Sequence, residues 1–482
     1  MKKIYLFCFL LMPIAVFAQA DITPPSPVLP VPSQRQLNWM DMEMNAFVHF
    51  TTNTFTDLEW GNGDESESVF NPSAPDPVQW TEALKQTGFK GLIFTCKHHD
   101  GFCLWPSQFT EHTLAKSPYM NGKGDMVRAV SDACKKTGVK FGIYLSPWDR
   151  NRADYGQPSY IAYYRNQLRE LITQYGPIFE LWFDGANGGT GYYGGANEKR
   201  TIDAATYYDW PNTIKLARSL QKQEMVIFSD AGPDIRWVGN EEGHASKTNW
   251  NMLTPEPVLT RQSGYETLLG QGMENGSHWI PAEVDVSIRP GWFYHAKEDS
   301  LVKTPEQLFE IYLNSVGRGA VLLLNIPPDR RGLFHTNDVQ SLKGFRNLLD
   351  HEFKTNLAKG ANVKVSSVRG NSKLFEGQNL LTGNPERYWA TDDTATTGTI
   401  ELDLHKQQKI SYVVLKEYLR LGQRVKAFNI EVKTDGGWRQ VANETTIGHK
   451  RILKLDPVRT DKIRINITAA RACLTMAAVE LY

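Results

Sequence analysis

Short runs that are apolar at nearly every position alternate with amphipathic segments along the first two thirds of the chain. AFVHF (46–50) is followed by DPVQWTEALKQTG, GLIFTC (91–96) by DMVRAVSDACKKTG, FGIYLS (141–146) by SYIAYYRNQLRELITQYG, and FELWF (179–183) by ATYYDWPNTIKLARSLQ. MVIFS (225–229) comes next, and TPEQLFEIYLNSVG later leads into AVLLLNI (320–326). Strand-length apolar runs are buried on both faces, and the segments between them repeat at helical spacing and stop at Gly, which predicts parallel βα units. Polar residues of chemical character follow several of these strands. That is the habit of a (β/α)8-like TIM barrel, predicted over 21–355, whereas a doubly wound open sheet would place one phosphate loop after its first strand.

The pattern changes near residue 360. IELDL, YVVLKEYL, FNIEVKTDGGW and KIRINIT alternate apolar with polar positions and are joined by Gly- and Asp-rich turns. This predicts an all-β sandwich over 360–482. At the other end MKKIYLFCFLLMPIAVFAQA has two lysines, an apolar stretch and small residues at Ala18 and Ala20. Residues 1–20 are therefore expected to be a cleaved signal peptide, giving an exported product, periplasmic or secreted in a bacterium. Residues 21–35, with five prolines, form an extended lead-in. No later apolar run is long enough to insert in a membrane.

Charge narrows the partners. Lys plus Arg and Asp plus Glu are 53 each, so no global field draws the chain to nucleic acid or an anionic surface. A neutral partner fits better. Beyond Cys8 in the leader, Cys96, Cys103, Cys134 and Cys473 form neither a CxxC pair nor a Cys/His zinc spacing, and are expected to be buried small residues rather than a disulfide framework.

The strand ends carry the candidate chemistry. Strand one ends at His49, strand two in KHHDGF with His98 and His99, strand three near Tyr144 and Trp148, strand four at Trp182 and Asp184. Adjacent histidines on a strand point to opposite faces, so one metal takes both only if the strand breaks there; hydroxyl recognition in a polar pocket is the favoured reading, with no metal. Asp184 precedes Gly-Ala-Asn-Gly-Gly rather than a helix, which makes capping a poor account of it. A carboxylate there, walled by aromatic groups, suits a nucleophile facing a sugar. A second carboxyl, for acid/base work, is offered by SDAGPDIRWVGNEEG; Asp230 and Asp234 flank a turn, and alternation leaves Glu241 and Glu242 undecided. The 13 tryptophans include several beside charged partners in polar loops, such as EW (59–60), PWD (147–149) and IRW (235–237), a pairing that favours a neutral carbohydrate. The GxGxxG at 189–194 opens no helix and is read as a mobile loop whose Tyr192 and Tyr193 border the leaving-group side.

FVHF…EW, KHHDGF, GIYLSPWD, LWFDGA and GPDIRWVGNE, in that order over 37–353, resemble the bacterial and plant α-L-fucosidases of glycoside hydrolase family twenty-nine. The resemblance implies an often irregular barrel, hydrolysis with retention through a covalent fucosyl-enzyme, and no cofactor. It implies Asp184 as nucleophile and Glu241 as acid/base with Glu242 as fallback. His49, Glu59, Trp60, His98, His99, Tyr144, Trp182 and Arg236 fall on positions similar to the family's fucose-binding set. The RWVGNE stretch is similar to the subgroup favouring branched α-1,3/1,4-linked fucosides, so the expected partner is a fucosylated oligosaccharide or glycan. RYWATDDTATTGTIELDL (387–404) resembles the discoidin-like modules, coagulation factor 5/8 type C. Sugar binding and a purely structural role are both open for it, and Asp392 and Asp393 keep a structural calcium open. A non-catalytic lectin, a barrel metallohydrolase and a glycosidase for another neutral sugar are the competing readings.

Overall fold

The computed structural model describes residues 22–221, 224–259 and 261–482, the side chains of 257 and 258 excepted, so the expected leader lies outside the described residues. Eight parallel strands close a barrel: β1 (Met44–Val48), β2 (Gly91–Lys97), β3 (Lys140–Leu145), β4 (Glu180–Trp182), β5 (Val226–Ser229), β6 (Ile235–Trp237), β7 (Ala282–Ser287) and β8 (Val321–Asn325). They follow one another around the ring in chain order and β8 returns to β1. α1 (Pro77–Thr87), α2 (Met126–Thr137), α3 (Pro158–Gln174) and α4 (Trp210–Leu220) fill the first four crossovers. Only a turn joins β5 to β6, while α5 (Tyr265–Gln271) precedes β7, α6 (Pro305–Asn314) precedes β8 and α7 (Thr336–Glu352) follows it. Helix limits are written locally. Asp76 accepts from Val78 N and Gln79 N ahead of Pro77, and Gly88 ends α1 at φ 95°; a left-handed residue after the last turn is where glycine costs least.

Strand parity divides the apolar side chains. Ala46, Leu92, Ile143, Leu181, Ile227, Val284 and Leu322 pack toward the helices, while Phe47, Ile93, Tyr144, Trp182, Phe228, Ile235 and Leu323 fill the barrel interior. Two carboxyls share that interior. Glu180 Oε2 accepts from Trp39 Nε1 and Glu283 Oε1 from Trp182 Nε1, both at 2.8 Å. Burial raises both carboxyls, Glu180 to about 7, and the nearby Glu180 raises Glu283 further.

The remainder is an antiparallel sandwich of β9 (Asn362–Val365), β10 (Trp389–Ala390), β11 (Gly398–Glu417), β12 (Val425–Thr434), β13 (Gly437–Glu444), β14 (Arg451–Ala470) and β15 (Thr475–Leu481). The order is β10-β15-β11-β14-β12-β13, with β9 on β11. β11 and β14 run 20 residues each, with register shifts between Asp403 and Gln408 and between Ile410 and Tyr412, where such strands bend. The alternation read from IELDL and FNIEV buries Ile400, Leu402, Phe428, Ile430 and Val432 in one core.

Among the described residues the four cysteines are free and buried, as their scatter suggested. The two acids that left calcium open each accept a hydrogen bond from within the chain. Asp393 pairs with Arg369 at 2.7 Å and Asp392 accepts from Gly370 N at 2.9 Å. The glycine-rich stretch is a correction: 189–191 and 198–200 pair as a small hairpin. Tyr193 is buried beneath it, with its hydroxyl accepting from Trp148 Nε1 at 2.9 Å and donating to Gly189 O at 2.8 Å. Neither Tyr192 nor Tyr193 borders the cavity described next.

Candidate active site

The carboxyl ends of the barrel strands enclose a cavity of about 450 Å³. His49 follows β1, and its Nδ1 lies 2.8 Å from Asn325 Oδ1. The Asn325 amide donates to Ser287 Oγ and Trp292 O, at 2.9 and 2.8 Å, which fixes its oxygen toward the histidine. His49 therefore donates from Nδ1 and keeps Nε2 as an acceptor.

β2 ends at Lys97, one residue before the histidine pair. Gly101, at φ 81°, turns the chain back, and Asp100 holds the turn by accepting from Phe102 N at 3.0 Å and from the Thr52 hydroxyl. With the strand broken there, His98 and His99 line the same cavity, ring centroids 4.0 Å apart. His99 Nδ1 donates to Ser146 Oγ at 2.8 Å, because that hydroxyl spends its own hydrogen on Trp148 O at 2.7 Å. The bare Nε2 of His99 then stands 3.8 Å from Asp184 Oδ2. Two acceptors at that spacing do not bond each other and are complementary to a donor between them. Burial lowers all three histidines, His49 and His99 to about 3, so the pocket presents neutral imidazoles at physiological pH.

Asp184 sits just past β4. Its Oδ2 accepts from Tyr144 Oη at 2.8 Å and its Oδ1 from Ala186 N at 2.6 Å. Burial raises this carboxyl, and the two donors work against the rise. A Cβ on Gly185 would run into the Asp230 carboxylate, so the turn behind Asp184 has room only for glycine. Trp182 lies flat on Phe228, with centroids 4.1 Å apart, and is anchored beneath by Glu283. Trp60 stands at the rim, 54% exposed and edge-on to His99.

β6 corrects one sequence expectation. Trp237 faces the cavity and donates to Asp285 Oδ1 at 2.8 Å. Arg236 points the other way and is wholly buried, donating to Leu269 O at 2.7 Å, Asn249 Oδ1 at 3.0 Å, Trp250 O at 2.9 Å and Ile280 O. It ties backbone together and does not reach the cavity. Arg236→Met is expected to lower stability by about 3 kcal/mol or more, because several buried carbonyls lose their donor; a thermal melt beside the parent measures it.

Glu59 is also placed differently. Its Oε2 accepts from Trp292 N at 2.8 Å, its Oε1 from Phe293 N at 3.2 Å and from His295 Nε2 at 2.6 Å. It does not line the cavity; it anchors the loop that presents Trp292. Between the two glutamates after Asn240 the geometry discriminates. Glu241 lines the cavity and accepts from Trp292 Nε1 at 3.1 Å, and burial of its carboxyl, with Asp184 nearby, raises it. Glu242 has an 80% exposed side chain and faces His244.

Sequence reasoning missed Asp285, a buried carboxyl on the cavity wall raised by burial and by Glu241. It assigned Asp230 only a turn role. Asp230 also lines the cavity and pairs with Arg261 at 3.2 Å, whereas Asp234 keeps a structural role by accepting from Ile227 N at 2.7 Å.

A closed barrel whose strand ends gather aromatic walls, neutral imidazoles and several buried carboxyls has the make-up of a sugar-cleaving site. The α-L-fucosidase family model matches residues 27–352 and the F5/8 type C domain model matches 362–479. The chain belongs to the α-L-fucosidase family of glycoside hydrolases, with an F5/8 type C module at its C-terminal end. It is 39% identical to Alpha-L-fucosidase 1 of Arabidopsis thaliana over 466 residues, 95% of this chain and 88% of the relative. A glycoside hydrolase 29 family member from an unknown rumen bacterium superimposes with a TM-score of 0.84 at 42% identity, over 95% of this chain and 78% of that one. A Ruminococcus gnavus fucosidase of the same family, in complex with fucose, does so with a TM-score of 0.86 at 33% identity, over 95% and 96%. The enzyme is thus an α-L-fucosidase, and its substrate class is fucosylated glycan.

Proposed function

We propose that the enzyme removes terminal α-linked L-fucose with retention of configuration, through a covalent intermediate on Asp184 and with Glu241 as acid/base. The observation that carries this is the pair of carboxyls on one cavity in unlike surroundings. Asp184 receives a phenol and a backbone N–H, which favour its charge. Burial and the nearby Asp184 favour the proton of Glu241, against a single indole donor. In the first step an Asp184 oxygen forms a bond to the anomeric carbon as the glycosidic bond breaks, and the Glu241 proton goes to the departing oxygen. In the second step Glu241 takes a proton from water, whose oxygen displaces Asp184 and releases fucose. The neutral histidines and Tyr144 bind hydroxyls, and Trp182 packs against the ring or its methyl group.

Proton NMR of the first-formed product tests this: α-fucose appearing before mutarotation is expected, and β-fucose appearing first would refute the two-step route. The RWVGNE stretch supports a preference for branched α-1,3/1,4-linked fucosides, and the leader-like first 20 residues support export to the periplasm or medium.

A further inference from the structure

We infer that the F5/8 type C sandwich is a working part of the acid/base: through Gln423 and Thr446 it sets the loop that carries Glu241. This rests on the assignment of Glu241 made above. The loop leaves the barrel at Trp237, and both of its flanks are tied to one short segment, 247–251. On the near flank Arg236 donates to Asn249 Oδ1 at 3.0 Å and to Trp250 O at 2.9 Å. On the far flank the chain runs directly through Ala245, whose N–H donates to Asn314 O at 2.9 Å, into the same segment.

Segment 247–251 is held from its other side by the sandwich. Asn249 N donates to Thr446 Oγ1 at 2.9 Å, and Gln423 Nε2 donates to Asn249 O at 2.9 Å. Asn251 N and Nδ2 donate to Gln423 Oε1 at 2.8 and 3.1 Å. Arg451 Nη1 donates to Lys247 O at 2.6 Å, and the Thr248 and Thr445 hydroxyls meet at 3.1 Å. Gln423, Thr446, Asn249 and Asn251 are all buried, so water does not substitute readily for a lost partner.

The two sandwich loops that supply these groups are themselves clipped together. Glu417, at the end of β11, accepts from Arg424 N at 2.6 Å, Val425 N at 3.0 Å and Gly448 N at 2.8 Å. The module thus offers a preformed template to the backbone, in the way outer groups orient a catalytic residue they never touch. Gln423 and Thr446 are positioning residues.

The test is the pair Gln423→Ala and Thr446→Val, singly and together in the full chain, assayed on a branched fucosyl oligosaccharide and on an aryl fucoside with a good leaving group. Misplacing the acid costs most where the leaving oxygen needs a proton. The double variant is expected to lose roughly 10-fold in kcat/KM on the oligosaccharide while the aryl fucoside is nearly unchanged, and the alkaline limb of its pH profile is expected to move to lower pH. Equal loss on both substrates, or a lowered Tm with no change on either, would overturn the inference. Should the double variant fail to fold, Thr446→Val against Thr446→Ser carries the same comparison: only the valine variant is expected to show the leaving-group-dependent loss, and identical behaviour of the two overturns it. Glu241→Ala assayed in parallel separates the two levels. If that variant shows no leaving-group dependence, the acid/base assignment itself has failed; if it does and the interface variants do not, only the positioning role falls.

Discussion

Asp184→Asn is expected to fold like the parent and to lose fucose release by about 10³-fold or more, since no attacking carboxylate remains. The substitution keeps an oxygen to accept from Ala186 N, which anchors the turn, and removes a charge that burial disfavours. Stability should be unchanged or slightly raised. The collapse of activity without a collapse of fold is what distinguishes a nucleophile from a structural acid. Near-normal release by this variant would sink the assignment, and binding of fucose by the inactive protein would show that the pocket is intact. As the proposed nucleophile, Asp184 must be ionised to attack, so activity is expected to be lost as pH falls through its raised value. The acid limb of kcat/KM therefore lies above the value of a free aspartate carboxyl.

Glu241→Ala is the second large effect, a loss of about 10²- to 10⁴-fold on oligosaccharides and less on aryl fucosides. Azide, which needs no deprotonation, should restore turnover of an activated aryl fucoside by attacking the intermediate in the space vacated by the side chain. The product would be α-fucosyl azide. Glu242→Ala should behave as the parent, because its carboxyl stands in solvent; if Glu242→Ala alone were inactive and azide-responsive, the two roles would be exchanged. As the proposed acid, Glu241 is expected to carry activity to higher pH through its raised value, and the alkaline limb should vanish in Glu241→Gln.

The barrel was legible because six of its strands are apolar at nearly every position, a pattern that doubly buried parallel strands impose. The two others were hidden for different reasons. Ile235–Trp237 is only three residues long, too short for periodicity to show. Ala282–Ser287 carries Glu283 and Asp285 on its inward face and Val284 and Val286 on its helix-facing side, so an inner barrel strand has the look of a half-exposed one. The signal was the i, i+2 spacing of two acids in an otherwise apolar run. The misplacement of Arg236 has a related origin, since a period of two says that Arg236 and Trp237 face opposite ways without saying which faces in. Register against Ala282 and Glu283 decides it. Asp184, the histidines, Tyr144 and Trp182 were found because they stand at or just beyond strand ends, where backbone geometry leaves little choice of direction, whereas Trp60 and Glu241 stand on loops and came from the family resemblance. Glu59 lies on a loop, whose partners sequence spacing does not specify.

The unprotonated imidazoles have a bearing on the medium in which the enzyme works. Arg261, the cation on the cavity wall, is already paired with Asp230, and the recognition surface otherwise meets an uncharged sugar with dipoles, aromatic faces and buried carboxyls. Dissolved electrolyte screens attraction between full charges and has little hold on contacts of this kind. Capture of fucosides should therefore be nearly indifferent to ionic strength, in fresh or saline fluid alike.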